Sequence, residues 1–237
     1  MGFNINYFKN LKTSKERYEY ALKNLNLLGK GSSRVAFLLP NTKYVLKLAV
    51  PIEPLIEEKG IAQNKAETEL VSLEVKDIIT RIYYYASDYS WMLVEPARTL
   101  KKKITTEQND EFQMITGFSF DELYFFLKQI ERKLFNSIGD VIVNLNSIED
   151  RLQEFFFHKE EYIKELHYSF GLDLLSVNLN SYKSLLSNKY IIAIDQLLAN
   201  GHFPGDIDSS EQWGITAKGN LVLLDYGLTN NVAKRYY

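Results

Sequence analysis

The pattern of apolar and polar positions changes its character near residue 100. Before that point, apolar runs of strand length alternate with turn residues. After it, apolar residues recur three and four positions apart, as on the buried faces of helices, until strand-like runs return at the end of the chain. The pattern predicts an α+β fold with a β-rich first lobe, a helical second lobe, a late hairpin and a cleft between the lobes.

In the first part, a helix is expected over 13–25, where Thr13 can cap the first turn together with Glu16. A second helix, from about Ile61 to Leu73, is expected to follow a loop that contains Pro54 and Gly60. Five strands are expected at Asn26–Gly29, Arg34–Leu39, Tyr44–Val50, Ile78–Tyr85 and Trp91–Glu95.

After residue 100, the pattern of the sequence predicts four helices and a hairpin. The helices are expected near 119–135, 140–157, 159–170 and 181–199. The hairpin strands are Gly214–Thr216 and Leu221–Leu224. This division places a β-rich lobe with a leading helix at 1–97, and a helical lobe with the late hairpin at 98–237.

Composition narrows the classes of function. The chain of 237 residues has no cysteine, which excludes disulfides, thiolate metal sites and a cysteine nucleophile. Three scattered histidines disfavour a zinc site. A formal net charge of -2 gives no reason to expect a nucleic acid or an anionic membrane as partner. The first residues lack the pattern of a secretory signal, and no apolar run has the length of a membrane span, so a cytoplasmic location is expected.

Two features of the β-rich part suggest phosphate chemistry. The segment from Gly29 to Gly31 lies between predicted strands, where glycines let backbone N–H groups approach phosphate oxygens, although an ordinary hairpin has the same composition. Lys47 lies inside an apolar strand and shares a face with Val45 and Ala49. The alternative for Lys47 is an edge-strand lysine that discourages aggregation.

Two acidic features complete the pattern. Glu67 and Glu69 lie on the predicted helix after the lysine strand, and a buried lysine needs such a carboxylate. The helical wheel favours Glu69, because it falls within the apolar stripe, and leaves Glu67 toward its edge. Asp225 directly follows an apolar strand, which suits a magnesium ligand and equally suits a turn or a helix cap.

In this order and spacing, the four features resemble the signature set of the protein kinase family. The resemblance implies binding of ATP and Mg²⁺, with Lys47 on the phosphates, Glu67 by family spacing as its partner, and Asp225 on the metal. Arg34 falls where the third loop glycine would stand. The nucleotide contacts that the resemblance implies are Gly29, Gly31, Ser32, Ala36, Val45, Lys47, Glu67 or Glu69, and the hinge residues Glu95 and Ala97.

The catalytic loop departs from the family. Asp206 or Asp208 would be the base, with neither at the usual offset, and Gln212 stands where an asparagine would hold a second Mg²⁺. The stretch between hinge and base is long, and little follows Gly227. The set of features as a whole most resembles the compact, divergent kinase-like proteins of bacteriophages, a resemblance that implies the host cytoplasm or the virion as the location.

Three functions stay open at this point. The first is a phosphotransferase that acts on a Ser/Thr hydroxyl of a protein or on the hydroxyl of a small molecule. The second is a pseudokinase that serves as a nucleotide-binding, structural or inhibitory module. The third is an unrelated α+β interaction domain whose motif matches are accidental. The acceptor and the biological partner are not determined by the sequence.

Overall fold

A computed structural model describes residues 2–40, 42–70, 74–144 and 183–236. The chain is a mixed α+β protein that divides into two compact units. The first unit comprises Met1–Thr99, Gly201–Phe203 and Gln212–Tyr237, and the second comprises Leu100–Asn200 and Pro204–Glu211. The prediction from sequence divided the chain at residue 97, whereas here the C-terminal hairpin belongs with the first unit.

A five-stranded antiparallel sheet forms the centre of the first unit. Its strands are β1 (Asn26–Lys30), β2 (Arg34–Leu38), β3 (Val45–Ala49), β4 (Ile82–Tyr85) and β5 (Trp91–Val94). They are arranged in the order β1-β2-β3-β5-β4, so that β3 is central. The predicted strands are confirmed except for the fourth, which starts four residues later than expected.

The two faces of this sheet carry different side chains. One face contributes Phe37, Leu46, Leu48 and Trp91 to a buried core together with Phe8. That core is covered by α1 (Ile5–Asn10), which was not predicted, and by α2 (Ser14–Asn24), whose predicted capping box between Thr13 and Glu16 is confirmed. The opposite face carries a small apolar group formed by Val45, Met92, Val94, Ala36 and Ile82.

The helix after β3 is longer than predicted. It was expected to begin near Ile61, but α3 covers Pro54–Leu70. Proline is compatible with the first turn of a helix, where its missing N–H has no helical partner. Gly60 lies within α3 at a point where only a glycine fits. A Cβ at this position would stand 2.4 Å from the Ser33 carbonyl oxygen and 2.9 Å from the Ala49 Cβ. The glycine therefore lets α3 pack directly on the sheet.

A second, three-stranded sheet explains why the late hairpin belongs to the first unit. The predicted hairpin is confirmed as β7 (Trp213–Thr216) and β8 (Leu221–Leu223), and β7 also pairs with the unpredicted β6 (Ala97–Thr99). The segment Ile78–Thr80, predicted as the start of β4, pairs instead with β8: Leu223 N–H donates to the Ile78 carbonyl and Thr80 N–H to the Leu223 carbonyl. The first unit ends with α9 (Asn230–Tyr236).

The described part of the second unit is helical. Its helices are α4 (Thr106–Thr116), α5 (Phe120–Glu131), α6 (Ile138–Val143), α7 (Lys189–Ala199) and α8 (Pro204–Ile207). The predicted helices at 119–135 and 181–199 are confirmed with shorter bounds, and α4 lies in the stretch with a helical pattern. The prediction for 140–157 is described only at α6, and the one for 159–170 lies outside the described residues. Over the described parts of the chain, no helix has the length and hydropathy to cross a membrane.

Candidate functional site

Lys47 and Glu67 form a buried ion pair in the first unit. The Lys47 Nζ lies 3.2 Å from Glu67 Oε1 and 3.0 Å from Oε2. Lys47 is 9% exposed and Glu67 is fully buried. Strand alternation directs Lys47 to the sheet face away from the main core, and the close approach of α3 at Gly60 brings Glu67 to it. The pair thus depends on β3, on α3 and on the glycine of α3 that lets the helix approach the sheet.

Glu67, and not Glu69, is the residue that contacts the lysine. Glu69 is exposed, and its Oε1 lies 3.8 Å from the Nζ of Lys65 on the same helix. The helical wheel favours Glu69 because this residue falls within the stripe of apolar residues. In the structure, the face of α3 that carries Glu67 is the one that meets the sheet. The family spacing therefore identified the partner more accurately than the wheel.

Arg34 joins the pair to the C-terminal hairpin. Its Nη1 lies 2.6 Å from Glu67 Oε1 and 3.3 Å from Asn64 Oδ1, while its Nη2 forms an ion pair with Asp225 Oδ1. The Arg34 side chain is only 6% exposed. Sequence reasoning noted Arg34 only as a replacement for a loop glycine and missed this role. The signal available was an arginine at the first position of a strand whose other residues are apolar.

The residues after β8 complete the cluster. The Leu224 carbonyl accepts a hydrogen bond from Lys47 Nζ, and Tyr226 N–H donates to Glu67 Oε1 at 3.4 Å. The Tyr226 hydroxyl is buried and donates to the Thr80 carbonyl at 3.1 Å. Gly227 packs against α3, where a Cβ would lie 2.5 Å from the Gln63 carbonyl oxygen. These contacts hold Asp225 beside the cluster while its side chain stays 44% exposed.

Burial and the neighbouring charges shift the pKa values of the residues in the cluster. Burial lowers the pKa of Lys47 to about 8, with Glu67 acting against this shift and Arg34 adding to it. Burial by itself would raise the pKa of Glu67, but Arg34 and Lys47 together hold this pKa below its ordinary value. Burial also raises the pKa of the Tyr226 hydroxyl well above its ordinary value. The cluster therefore joins two basic side chains, Lys47 and Arg34, to the buried Glu67, with the half-exposed Asp225 beside them.

His202 is a further residue of this region that sequence reasoning did not single out. It is buried, hydrogen-bonds the backbone of Tyr226 and forms an isolated bridge with Thr229. Burial lowers the pKa of His202, although the hydrogen bond and the nearby Glu67 oppose the shift. The contacts with Tyr226 and Thr229 are both with the segment after β8. Nothing in the sequence pattern distinguished it from the other two histidines.

The predicted nucleotide contacts are distributed around this cluster. Ala36 and Val45 lie in the apolar group on the sheet face that carries Lys47. A Cβ at Gly29, which lies inside β1, would meet nothing within 4 Å, and one at Gly31, in the turn that follows, would meet only the Arg34 carbonyl oxygen at 3.7 Å. Packing within the chain therefore does not demand these glycines. Ser32 is exposed, and its hydroxyl accepts a hydrogen bond from Lys59.

The predicted hinge is part of the hydrogen-bonded structure. Glu95 N–H donates to the Arg81 carbonyl at 2.9 Å, so this N–H is not free to meet an adenine edge. Ala97 lies in β6 opposite Thr216. The segment is thus a connection between two sheets, which the sequence reading did not foresee because β6 is only three residues long.

The two candidate bases lie in the second unit. Asp208 Oδ2 forms an ion pair with Lys128 Nζ at 2.9 Å. Burial raises the pKa of Asp208, and Glu131 adds to the shift while Lys128 opposes it. Asp206 lies in the first turn of the short helix α8 and is half-buried. The assignment of the base to either residue stays a prediction.

The donors around Asp225 do not by themselves build a metal site. Asp225 Oδ1 is bonded to Arg34. Gln212 is placed beside it through the backbone, since its carbonyl accepts from Leu224 N–H at 2.7 Å. Among the described residues, no group of three or more His, Cys, Asp or Glu side chains could hold a metal ion. Magnesium binding by Asp225 and Gln212 stays a prediction.

Comparison of the chain with protein-family models and with curated proteins finds no match.

Proposed function

We propose that this chain is a protein-kinase-like phosphotransferase that binds ATP in its first unit and uses it as the phosphoryl donor. The observation that carries the proposal is the buried Lys47–Glu67 pair, which joins the central strand of an antiparallel sheet to the helix that follows it. In protein kinases, a strand lysine held by a helix glutamate grips the phosphates of ATP. The resemblance in sequence assigned these roles to the same two residues.

The surroundings of Lys47 support a nucleotide as ligand. Burying a lysine–glutamate pair costs desolvation energy that a purely structural role recovers poorly, so such pairs are candidates for functional sites. On the same sheet face, Ala36 and Val45 provide apolar surface of the kind that an adenine ring contacts. The N–H of Gly31 already donates to the Arg34 carbonyl at 2.8 Å, so the support for a nucleotide comes from the lysine pair and from this apolar face.

Phosphoryl transfer is the chemical part of the proposal. An acceptor hydroxyl oxygen forms a bond to the γ-phosphorus, the bond to the ADP oxygen breaks, and a base takes the proton of the hydroxyl. The resemblance assigns the base to Asp206 or Asp208. A raised pKa, as at Asp208, suits a group that must accept a proton near neutral pH. The acceptor is either a Ser/Thr hydroxyl of a protein or the hydroxyl of a small molecule.

The test compares two lysine variants by calorimetric titration with ATP. Lys47→Met is expected to weaken ATP binding by at least about tenfold, roughly 1.4 kcal/mol, because the phosphates lose their buried cation. Lys128→Met, which removes a lysine of the second unit, is the matched control and should bind ATP like the wild type. Equal affinity of Lys47→Met and the wild type would refute the assignment. Transfer is then measured with γ-labelled ATP and casein as a generic Ser/Thr substrate.

A nucleotide-binding module without phosphoryl transfer is the second candidate. The observation that favours it is the ion pair of Arg34 with Asp225, which engages the carboxylate that the resemblance assigns to the metal. Gln212 in place of the usual asparagine points the same way. ATP binding that Lys47→Met abolishes, together with no transfer to any protein or small-molecule hydroxyl and no ATP turnover, would establish this second function.

A further inference from the structure

The position of Arg34 suggests which cation would contact the phosphates of ATP. It is the first residue of β2, directly after the turn Gly31–Ser33, and its guanidinium lies between Glu67 and Asp225. These partners come from α3 and from the segment after β8. The guanidinium therefore lies among the residues that the proposed function assigns to the phosphates of ATP.

The contacts of Arg34 differ in how firmly they are held. Glu67 and Asn64 are both fully buried, and Asn64 is itself held by a 2.8 Å hydrogen bond from its Nδ2 to the Tyr89 carbonyl. Asp225, in contrast, is 44% exposed and can turn toward water without leaving a buried charge unpaired. Of the three contacts, the one with Asp225 is therefore the one that a competing anion can replace.

The charges favour such a replacement. Arg34 and Lys47 carry two positive charges against the single negative charge of Glu67, so the cluster without Asp225 has a net charge of +1. A guanidinium presents its N–H groups as a planar fork that matches phosphate oxygens in pairs. An incoming phosphate can thus take the place of the Asp225 carboxylate on Nη2 while Arg34 keeps its bonds to Glu67 and Asn64.

We propose that Arg34 is the resident cation of the ATP site, so that ATP binds here without a divalent metal. The inference rests on the proposed function. Arg34 takes at Asp225 the place that the resemblance gives to Mg²⁺, and Asp225 neutralises Arg34 while the site is free of ligand. The role of Arg34 is to bind and position the phosphates.

The test is the titration of the wild type with ATP, once with EDTA and once with Mg²⁺. The expected dissociation constants agree within about threefold, because Arg34 already neutralises the phosphates. Binding that appears only with Mg²⁺ would overturn the inference and leave the proposed function standing. Absence of binding in both buffers would overturn the proposed function.

Two variants separate Arg34 from Asp225. Arg34→Gln should weaken ATP binding in EDTA by at least about tenfold, and Mg²⁺ should restore part of the loss because Asp225 is then free. Arg17→Gln is the control, since Arg17 is a largely buried arginine of the same unit that contacts Ser90 and Asp88 instead. Wild-type affinity of Arg34→Gln in EDTA would overturn the inference.

Asp225→Asn keeps the test decisive if Arg34→Gln does not fold. This variant removes the anion that competes for Arg34 at a half-exposed position. In EDTA it should bind ATP as tightly as the wild type or several-fold more tightly. If Asp225 acts only as a metal ligand, the wild type binds ATP only with Mg²⁺. Asp225→Asn then binds ATP weakly, with or without Mg²⁺. This result would overturn the inference.

Discussion

Each unit of this protein contains a lysine that contacts acidic side chains, and the two lysines behave differently. Lys47 meets a fully buried glutamate, and burial lowers the pKa of Lys47 to about 8. Lys128 lies partly exposed on α5, between Asp208 and Glu131. Burial also acts to lower the pKa of Lys128, but hydrogen bonds to the two carboxylates outweigh it and raise this pKa above its ordinary value.

The difference lies in the neighbouring charges and in burial. Lys47 shares its single carboxylate with Arg34, so a second cation disfavours its charged form. Lys128 has two carboxylates for one cation. The same residue types therefore form a partly exposed group of one cation and two anions in the second unit. In the first unit they form a desolvated cluster whose net charge is +1 when Asp225 is left out. A desolvated cluster of this kind can exchange an internal anion for the anion of a ligand.

Removing the carboxylate at the centre of the buried cluster should have the largest effect. Glu67→Gln leaves Arg34 and Lys47 facing each other without a buried anion, and loss of one partner of a buried pair typically costs about 3–5 kcal/mol. The free energy of unfolding, measured in urea, should fall by about that amount. Glu69→Gln on the same helix removes an exposed pair with Lys65 and should change stability by less than about 0.5 kcal/mol. Similar losses for the two variants would contradict the role given to Glu67.

The close approach of α3 that buries the first cluster can be broken at Gly60. A Cβ in Gly60→Ala would stand 2.4 Å from the Ser33 carbonyl oxygen, so the helix must move away from the sheet. Overpacking of this kind costs about 1–3 kcal/mol. Gly29→Ala is the control, because its Cβ meets nothing within 4 Å, and thermal unfolding should separate the two variants. A stability of Gly60→Ala equal to that of the wild type would show that α3 has freedom to shift.

The acidic groups of the two units should make opposite contributions to the dependence of stability on pH. The pKa of Glu67 is lowered in the folded state, so its contribution is present above the ordinary value of 4.5 and is lost as the pH falls through the folded pKa. The pKa of Asp208 is raised, so its contribution is present below the ordinary value of 3.8 and is lost as the pH rises through the folded pKa.

Urea unfolding between pH 3 and pH 7 tests this difference in sign. Relative to the wild type, Glu67→Gln should show a smaller loss of stability on acidification. Asp208→Asn should show a slightly larger loss, because the group with the opposite sign is gone. A change of the same sign in both variants would contradict the contrast between the clusters.

Local patterns predicted most of the elements of the first unit. Alternation within Tyr44–Val50 placed Lys47 on the face of β3 that also carries Val45, and the capping residues Thr13 and Glu16 marked the start of α2. Two bounds were wrong for reasons that local patterns do not contain. The local pattern places Pro54 and Gly60 in a loop, although the sheet requires a glycine inside α3. It also places Ile78–Thr80 in β4, although the hydrogen bonds of this segment are to Leu223.

The candidate site was predicted in part. Lys47, Asp225 and the pair of glutamates were named from residue type and spacing, because apolar strands with a single charged residue are unusual. Arg34 was not, because an arginine at a turn is ordinary until its partners are known. Those partners are 33 and 191 residues away along the chain. Spacing within a short window carries no information about contacts of this range.

By itself, the sequence determined the class of the fold, the strand that carries Lys47 and the hairpin that ends in Asp225, because these depend on periodicity and turn residues within a few positions. Only the tertiary structure decided between Glu67 and Glu69 as the partner of Lys47. It also decided that the hairpin belongs to the first unit and that Arg34 lies between Glu67 and Asp225. Packing makes these choices, since each depends on how closely distant segments approach and on which charges lose their water together.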